Sequence, residues 1–139
     1  MKTRHADATW SGRLRDGEGE IEFESGAFKG GYTHAGRFEE GSGTNPDEML
    51  GGALAGCFAM YLAVTLEEAG HPPEELHVNA AVNLDTDELV ISSIELTVEG
   101  TVPGMEQDAF QEAAEEAKAG CPVSKAVTGP EKTVTATLS

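Results

Sequence analysis

GTNPDEMLGGALAGCFAMYLAVTLEEAG, residues 43–70, carries a full set of helix boundaries around an uncharged middle. Thr44 or Asn45 can supply an N-cap oxygen. Pro46 suits the first helical position, where its missing N–H would have no partner anyway, and Asp47 and Glu48 complement the positive end of the helix dipole. Gly70 supplies the stop. From Met49 to Leu66 no residue is charged, and apolar side chains point all the way round. The expectation is one long central helix, buried on every side.

A run of about 18 apolar residues is also the lower edge of what crosses a bilayer. Here Gly51, Gly52 and Gly56 interrupt the run, and acidic residues rather than Lys or Arg flank both ends. The rest of the chain alternates as a soluble sheet does, so a core helix is the better expectation. Gly52 and Gly56 fall four residues apart on one face, with Gly51 beside them, which leaves room for another helix to approach closely.

Outward from the helix, the chain has 139 residues and 39% hydrophobic composition, enough for one domain spanning residues 1–139 with its own core. Its 25 acidic residues against 9 basic ones, net −16, argue against nucleic acid or an anionic membrane as partner, because both would repel it. The start, MKTRHADATW, lacks the apolar stretch of a signal peptide, so a cytoplasmic setting with reduced cysteines is expected.

Before the helix, ATWSGRLR places Trp10, Gly12 and Leu14 on one side of an expected strand. GEIEFES places Ile21 and Phe23 opposite Glu20, Glu22 and Glu24. A turn is expected at Gly30 and Gly31, followed by a third strand, YTHAGRFEE, that carries Arg37. After the helix, LHVNAAVNL turns inward Leu76, Val78, Ala80, Val82 and Leu84. ELVISSIELTVEGTV returns beside it, with an apolar phase shift at Ser92-Ser93 that reads as a bulge. MEQDAFQEAAEEAKAG is an amphipathic helix with Phe110, Ala113 and Ala117 inside and Gly120 as its stop. Pro122 opens a short further helix with Cys121 at its N-terminal end, and EKTVTATL closes the chain as a strand. The order, β-β-β-α-β-β-α-α-β, is an α+β fold: N-terminal meander, long central helix, hairpin, C-terminal helices and closing strand.

Two cysteines stand out as chemistry. Cys57, in the middle of an apolar helix, is by position alone a small hydrophobe. Cys121, in Gly-Cys-Pro, lies at a helix start whose free N–H groups lower a thiol's pKa. Two such thiols can exchange, although spacing alone does not bring them together. Arg37 reads either as a strand-edge arginine paired with one of many glutamates, or as a permanent positive charge that holds a sulfur as thiolate. Asp47 and Glu48 have helix-dipole compensation as a sufficient reason, and only partnership with Arg37 would promote one of them. His5, His34, His71 and His77 show no metal-ligand spacing, so neither a metal nor another cofactor is expected, and they read as surface residues.

Taken together, GRFEEGSGTNPDEMLGGALAGCF and KAGCPVSKA resemble the two cysteine motifs of the OsmC/Ohr family of organic-hydroperoxide peroxidases. The likeness extends to Glu24-Ser25-Gly26, Val102-Pro103-Gly104 and the order of elements, and the Gly-Cys-Pro-Val-Ser wording is closer to the OsmC branch. The resemblance implies an intertwined homodimer, Cys57 as peroxidatic cysteine, Cys121 as resolving cysteine and Arg37 as activating arginine. The family's activating glutamate falls at Asp47, with Glu48 adjacent. It further implies an organic hydroperoxide substrate, with hydrogen peroxide reduced less efficiently, and an external dithiol reductant. Leu54, Phe58, Met60 and Tyr61 would supply the apolar surroundings. Two other roles compete: a non-catalytic dimeric binding module for a small hydrophobic ligand, and a thiol redox sensor.

Helix geometry points to a dimer by a separate route. At about 1.5 Å rise per residue, Asp47 and Cys57 on one helix stand about 15 Å apart, too far for their side chains to share a site. A second copy of the helix, antiparallel and crossing at the midpoint residue, Gly52, would bring an acid from one chain to the thiol of the other; the alternative is a kinked helix that lets Arg37 bridge the gap within one chain.

Overall fold

The computed structural model describes residues 1–139. The chain divides into two compact units, Met1–Met49 and Leu50–Ser139, and each has its own three-stranded sheet. The fold is α+β, with one short helix more than the sequence pattern predicts.

In the first unit, β1 (Ala6–Ser11), β2 (Glu18–Phe23) and β3 (Lys29–Tyr32) form an antiparallel meander in the order β1-β2-β3. Trp10 pairs with Gly19 and Gly19 with Tyr32. The absence of a side chain on the middle strand lets the Trp10 and Tyr32 rings meet across it, 5.4 Å apart. The first strand ends earlier than expected: Gly12, at φ +93°, turns the chain, and Leu14 lies exposed in the turn.

The third strand is Lys29–Tyr32 and not YTHAGRFEE, so Gly30 and Gly31 lie in the ladder rather than in a turn. The Phe28 ring lies against Gly30 and also packs on Phe23, at 5.2 Å, which fills the space a strand glycine leaves. The strand stops at Thr33 because its Oγ1 accepts the Gly36 N–H at 3.0 Å, and this cap begins α1 (His34–Phe38). Arg37 therefore rides a single helical turn. The chain then loops back until Thr44 N–H donates to Gly31 O at 3.0 Å.

α2 (Pro46–Glu68) follows. Of its two candidate caps, Asn45 acts: its Oδ1 accepts the Glu48 N–H at 2.7 Å. At the other end Gly70 takes φ +85°, and His71 N–H reaches back to Leu66 O at 2.9 Å, a Schellman-type stop. In the second unit β4 (Glu75–Asp85) and β5 (Val90–Thr101) are antiparallel, and β6 (Glu131–Leu138) lies parallel to β5, reached through α3 (Gln107–Gly120) and α4 (Pro122–Ala126). Asn83 opposes Ser93 and Leu84 opposes Ile91, leaving Ser92 as the extra residue of the expected bulge.

The core of this unit joins Leu54, Phe58, Leu62 and Leu66 of α2 to Ile94, Leu96 and Val98 of β5 and Phe110, Ala114 and Ala117 of α3. Gly51 lets α2 close on β4, where a Cβ would stand 3.1 Å from Val82. The free edge of β6 is covered by two glutamines one turn apart on α3. Gln107 Nε2 donates to Ala136 O and Gln111 Nε2 to Val134 O, while Gln107 and Gln111 Oε1 accept from Leu138 N–H and Ala136 N–H.

A single chain buries α2 on one side only. By length and hydropathy α2 is long and apolar enough to cross a membrane, yet its Leu54–Leu66 stripe lies in the core. The opposite face, with Gly52, Ala53, Gly56, Met60 and Val64, is exposed in the single chain. One chain supplies one sheet layer for this helix, and one layer covers one stripe.

Candidate active site

Two clusters of the predicted residues form, one in each unit. In the second, Cys57 and Cys121 are both free thiols, and Cys57 lies beside Cys121. α2 carries Cys57 to the edge of the core, half-buried, while the α3–α4 corner carries Cys121, which is fully buried. Cys121 sits between the two helices in extended conformation, φ −66° and ψ 139°, with Pro122 after it.

Burial pushes the Cys121 thiol pKa up, and Cys57 beside it adds to the rise; the N–H groups of Ser124 and Val123, which hydrogen-bond it, pull the other way. The expectation of a lowered pKa is thus corrected. The helix-start N–H groups are present, but removing a thiolate from water outweighs them. The apolar surroundings also differ from expectation: Leu54 and Phe58 face the core, Met60 is exposed, and of the four only Tyr61 stands partly buried one turn beyond Cys57.

In the first unit Arg37 and Asp47 form a bidentate pair, with Nε to Oδ2 and Nη2 to Oδ1 both at 3.1 Å. Asp47 is buried, and the Arg37 guanidinium also lies over the Phe38 ring, 5.4 Å from its centre. Glu48, the other candidate acid, is exposed and accepts from Thr44 Oγ1 at 2.9 Å instead. Asn45 ties the two segments, donating to Gly36 O at 3.3 Å. Beside Arg37 is a small cleft of about 110 Å³ lined by Trp10, Tyr32, Phe38 and Pro46 among others. A wider open depression of about 700 Å³ around Arg4, His5 and Phe23 contains none of the predicted residues.

The positioning residues Thr33 and Phe38 escape sequence reading, and Asn45 is read there only as a helix cap. The available signal was Thr33, a capping residue whose partner lies three positions on. His34 is no ordinary surface histidine: its ring packs on Phe38 at 4.9 Å and stands 3.8 Å from the Glu39 carboxylate. No group of three or more His, Cys, Asp or Glu gathers as metal ligands would.

Each unit thus contributes one cluster, a pair of free thiols in one and an arginine–carboxylate pair in the other. The family model described as OsmC-like protein matches residues 39–136. The chain belongs to the OsmC-like family. Within the matched stretch fall Asp47, Glu48, Cys57 and Cys121, whereas Arg37 lies just before it. This OsmC-like chain is 39% identical over 125 residues to peroxiredoxin OsmC of Escherichia coli, a match covering 88% of this chain and 87% of that one. The relative supports a peroxidase role in the OsmC-like family. Among solved structures, the OsmC like protein from Mycoplasma pneumoniae superimposes with a TM-score of 0.75 at 19% identity, covering 99% of this chain and 97% of that one. The organic hydroperoxide resistance protein OhrB of Bacillus subtilis does so with a TM-score of 0.64 at 22% identity, covering 97% and 98%. At such identities the likeness is one of fold.

Proposed function

We propose that this chain is a cysteine-based peroxidase that reduces organic hydroperoxides, and hydrogen peroxide less efficiently. The observation that supports it best is the proximity of two free thiols from distant parts of the sequence. The Cys57 sulfur attacks the peroxide O–O bond, taking one oxygen as a sulfenic acid while the alkoxide leaves and is protonated to the alcohol. Cys121 then attacks the sulfenic sulfur. The S–S bond forms, the S–O bond breaks, and water leaves, which protects Cys57 from further oxidation. An external dithiol returns both thiols.

In this proposal the chain works as a homodimer with two equivalent sites, and Arg37, held by Asp47, faces Cys57 of the other copy. The exposed apolar face of α2 supports the dimer, as does the rise of about 15 Å between Asp47 and Cys57 on one helix. The net charge of −16 supports a chain that works away from nucleic acid and membrane surfaces, and a reducing cytoplasm would keep its thiols ready.

The test is steady-state consumption of an organic hydroperoxide with dithiothreitol as reductant. Cys57→Ser should abolish it, and Cys121→Ser should retain one turnover and then accumulate over-oxidised Cys57, read by mass spectrometry. Stoichiometric turnover by Cys57→Ser would refute the assignment.

A further inference from the structure

Gly120 has no backbone reason to be glycine. Expected as the stop of its helix, it is instead the last residue of α3 and has no positive φ, while Cys121 and Pro122 end the helix. A helical glycine is destabilising relative to alanine. What Gly120 provides is space: a Cβ there would stand 2.6 Å from Cζ and Oη of Tyr61 and 3.0 Å from its Cε1, inside the ring's van der Waals boundary.

Tyr61 lies four residues beyond Cys57 on α2, on the same face of the helix. Both side chains pack against the core. α2 therefore meets the α3–α4 corner at two neighbouring points, with Cys57 beside Cys121 and the Tyr61 ring on the bare backbone of Gly120, the residue before it.

We propose that Tyr61 is a positioning residue for the resolving step: its ring, seated on Gly120, holds the corner so that Cys121 stays within reach of Cys57 as the disulfide closes. The biological use of this contact rests on the peroxidase reading. The contact itself does not, because any two-electron oxidant closes the same bond. With oxidised glutathione, one protein sulfur displaces a glutathione thiolate and the second displaces the other. The products are the Cys57–Cys121 disulfide and two reduced glutathiones, with two thiol protons released to the departing thiolates.

The experiment measures the effective concentration of the two thiols in glutathione redox buffers, for the wild type, Tyr61→Phe, Tyr61→Ala, Gly120→Ala and the double variant Gly120→Ala with Tyr61→Ala. Tyr61→Phe keeps the ring and should stay within about twofold of wild type. Tyr61→Ala and Gly120→Ala should each lower the effective concentration by about tenfold, as coupled neighbours do. In the double variant the new methyl group meets no ring, so it should lose no more than Tyr61→Ala alone. Unchanged effective concentration in Tyr61→Ala overturns the proposal, as does a double variant whose loss is the product of the two singles. A merely structural role would lower the melting temperature of Tyr61→Ala and leave the thiol equilibrium unmoved. A wild type that consumes no peroxide, yet shows the expected pattern, would refute the peroxidase reading and leave Tyr61's role standing.

Discussion

Gly52→Leu gives opposite outcomes in a lone chain and in a dimer crossing on α2. In the chain by itself, a Cβ at residue 52 meets nothing within 4 Å. Replacing a helical glycine there removes a destabilisation of roughly 0.5–1 kcal/mol, and leucine is nearly as good a helix former as alanine. A monomer should therefore become more stable. If a second α2 crosses at Gly52, two-fold symmetry places both new leucines at the closest point. Overpacking of about 1–3 kcal/mol for each, or about 2–6 kcal/mol for the pair, weakens association by about 30-fold to about 10⁴-fold. The flanks follow, because Met60, 77% exposed, and Val64, 43% exposed, bury only if the helices stay close. Sedimentation velocity over a range of concentrations reads the association, and a melting curve at each concentration reads its linkage to folding. If Gly52→Leu raises the melting temperature at every concentration and leaves the sedimentation profile of the wild type unchanged, the crossing at Gly52 is refuted.

Two further predictions follow from the thiol and arginine clusters. Because burial raises the Cys121 pKa, the native state holds that proton more tightly than the unfolded chain. Its contribution to stability should be complete below about pH 8.5 and be lost as pH climbs through the raised value. Urea unfolding between pH 7 and 10 should show the decline in wild type and a shallower one in Cys121→Ala; parallel slopes would contradict it. Asp47→Asn keeps one acceptor and loses the charged fork to Arg37. It should cost about 1.5–3 kcal/mol, toward the lower end because water reaches an arginine side chain that is 35% exposed, measured by chemical denaturation. A loss below about 0.5 kcal/mol would show the pair to be screened like an ordinary surface ion pair.

How much of this was legible depends on whether the deciding partner is local. α2 announces itself because its signals, Asn45, Pro46, Asp47 and Gly70, act within a turn of where they stand. The β4–β5 hairpin and its bulge at Ser92 are legible for the same reason: a two-residue period that slips by one has only one geometric meaning. The stretch from Tyr32 to Phe38 failed because two local signals compete there. Its alternation suits a strand, while the Thr33 hydroxyl offers the backbone a helical turn, and the return of Thr44 to Gly31 fixes the outcome from outside the stretch. Gln107 and Gln111 read as solvated helix residues, because nothing in their neighbourhood announces that an edge strand more than twenty residues later needs their amides.

The candidate site shows the same limit for charge. The motif around Cys121 correctly locates a thiol at a helix start, and from that alone its pKa should fall. Burial reverses the sign, and burial depends on Phe58 and Tyr61 of α2 joining the α3 stripe in one core with Cys121, whereas no window around residue 121 contains α2. The reversal suits the proposed division of labour. A thiol that keeps its proton near neutrality and is closed to solvent is a poor nucleophile toward dissolved peroxide, which leaves the first encounter to the half-buried Cys57. Closing a disulfide makes a smaller demand on acidity, because the nearness of Cys57 replaces a bimolecular collision by an intramolecular one, and effective concentration compensates for a small thiolate fraction. On this view the device that matters at Cys121 is its fixed place beside Cys57, and the glycine that precedes it serves that place by admitting the Tyr61 ring.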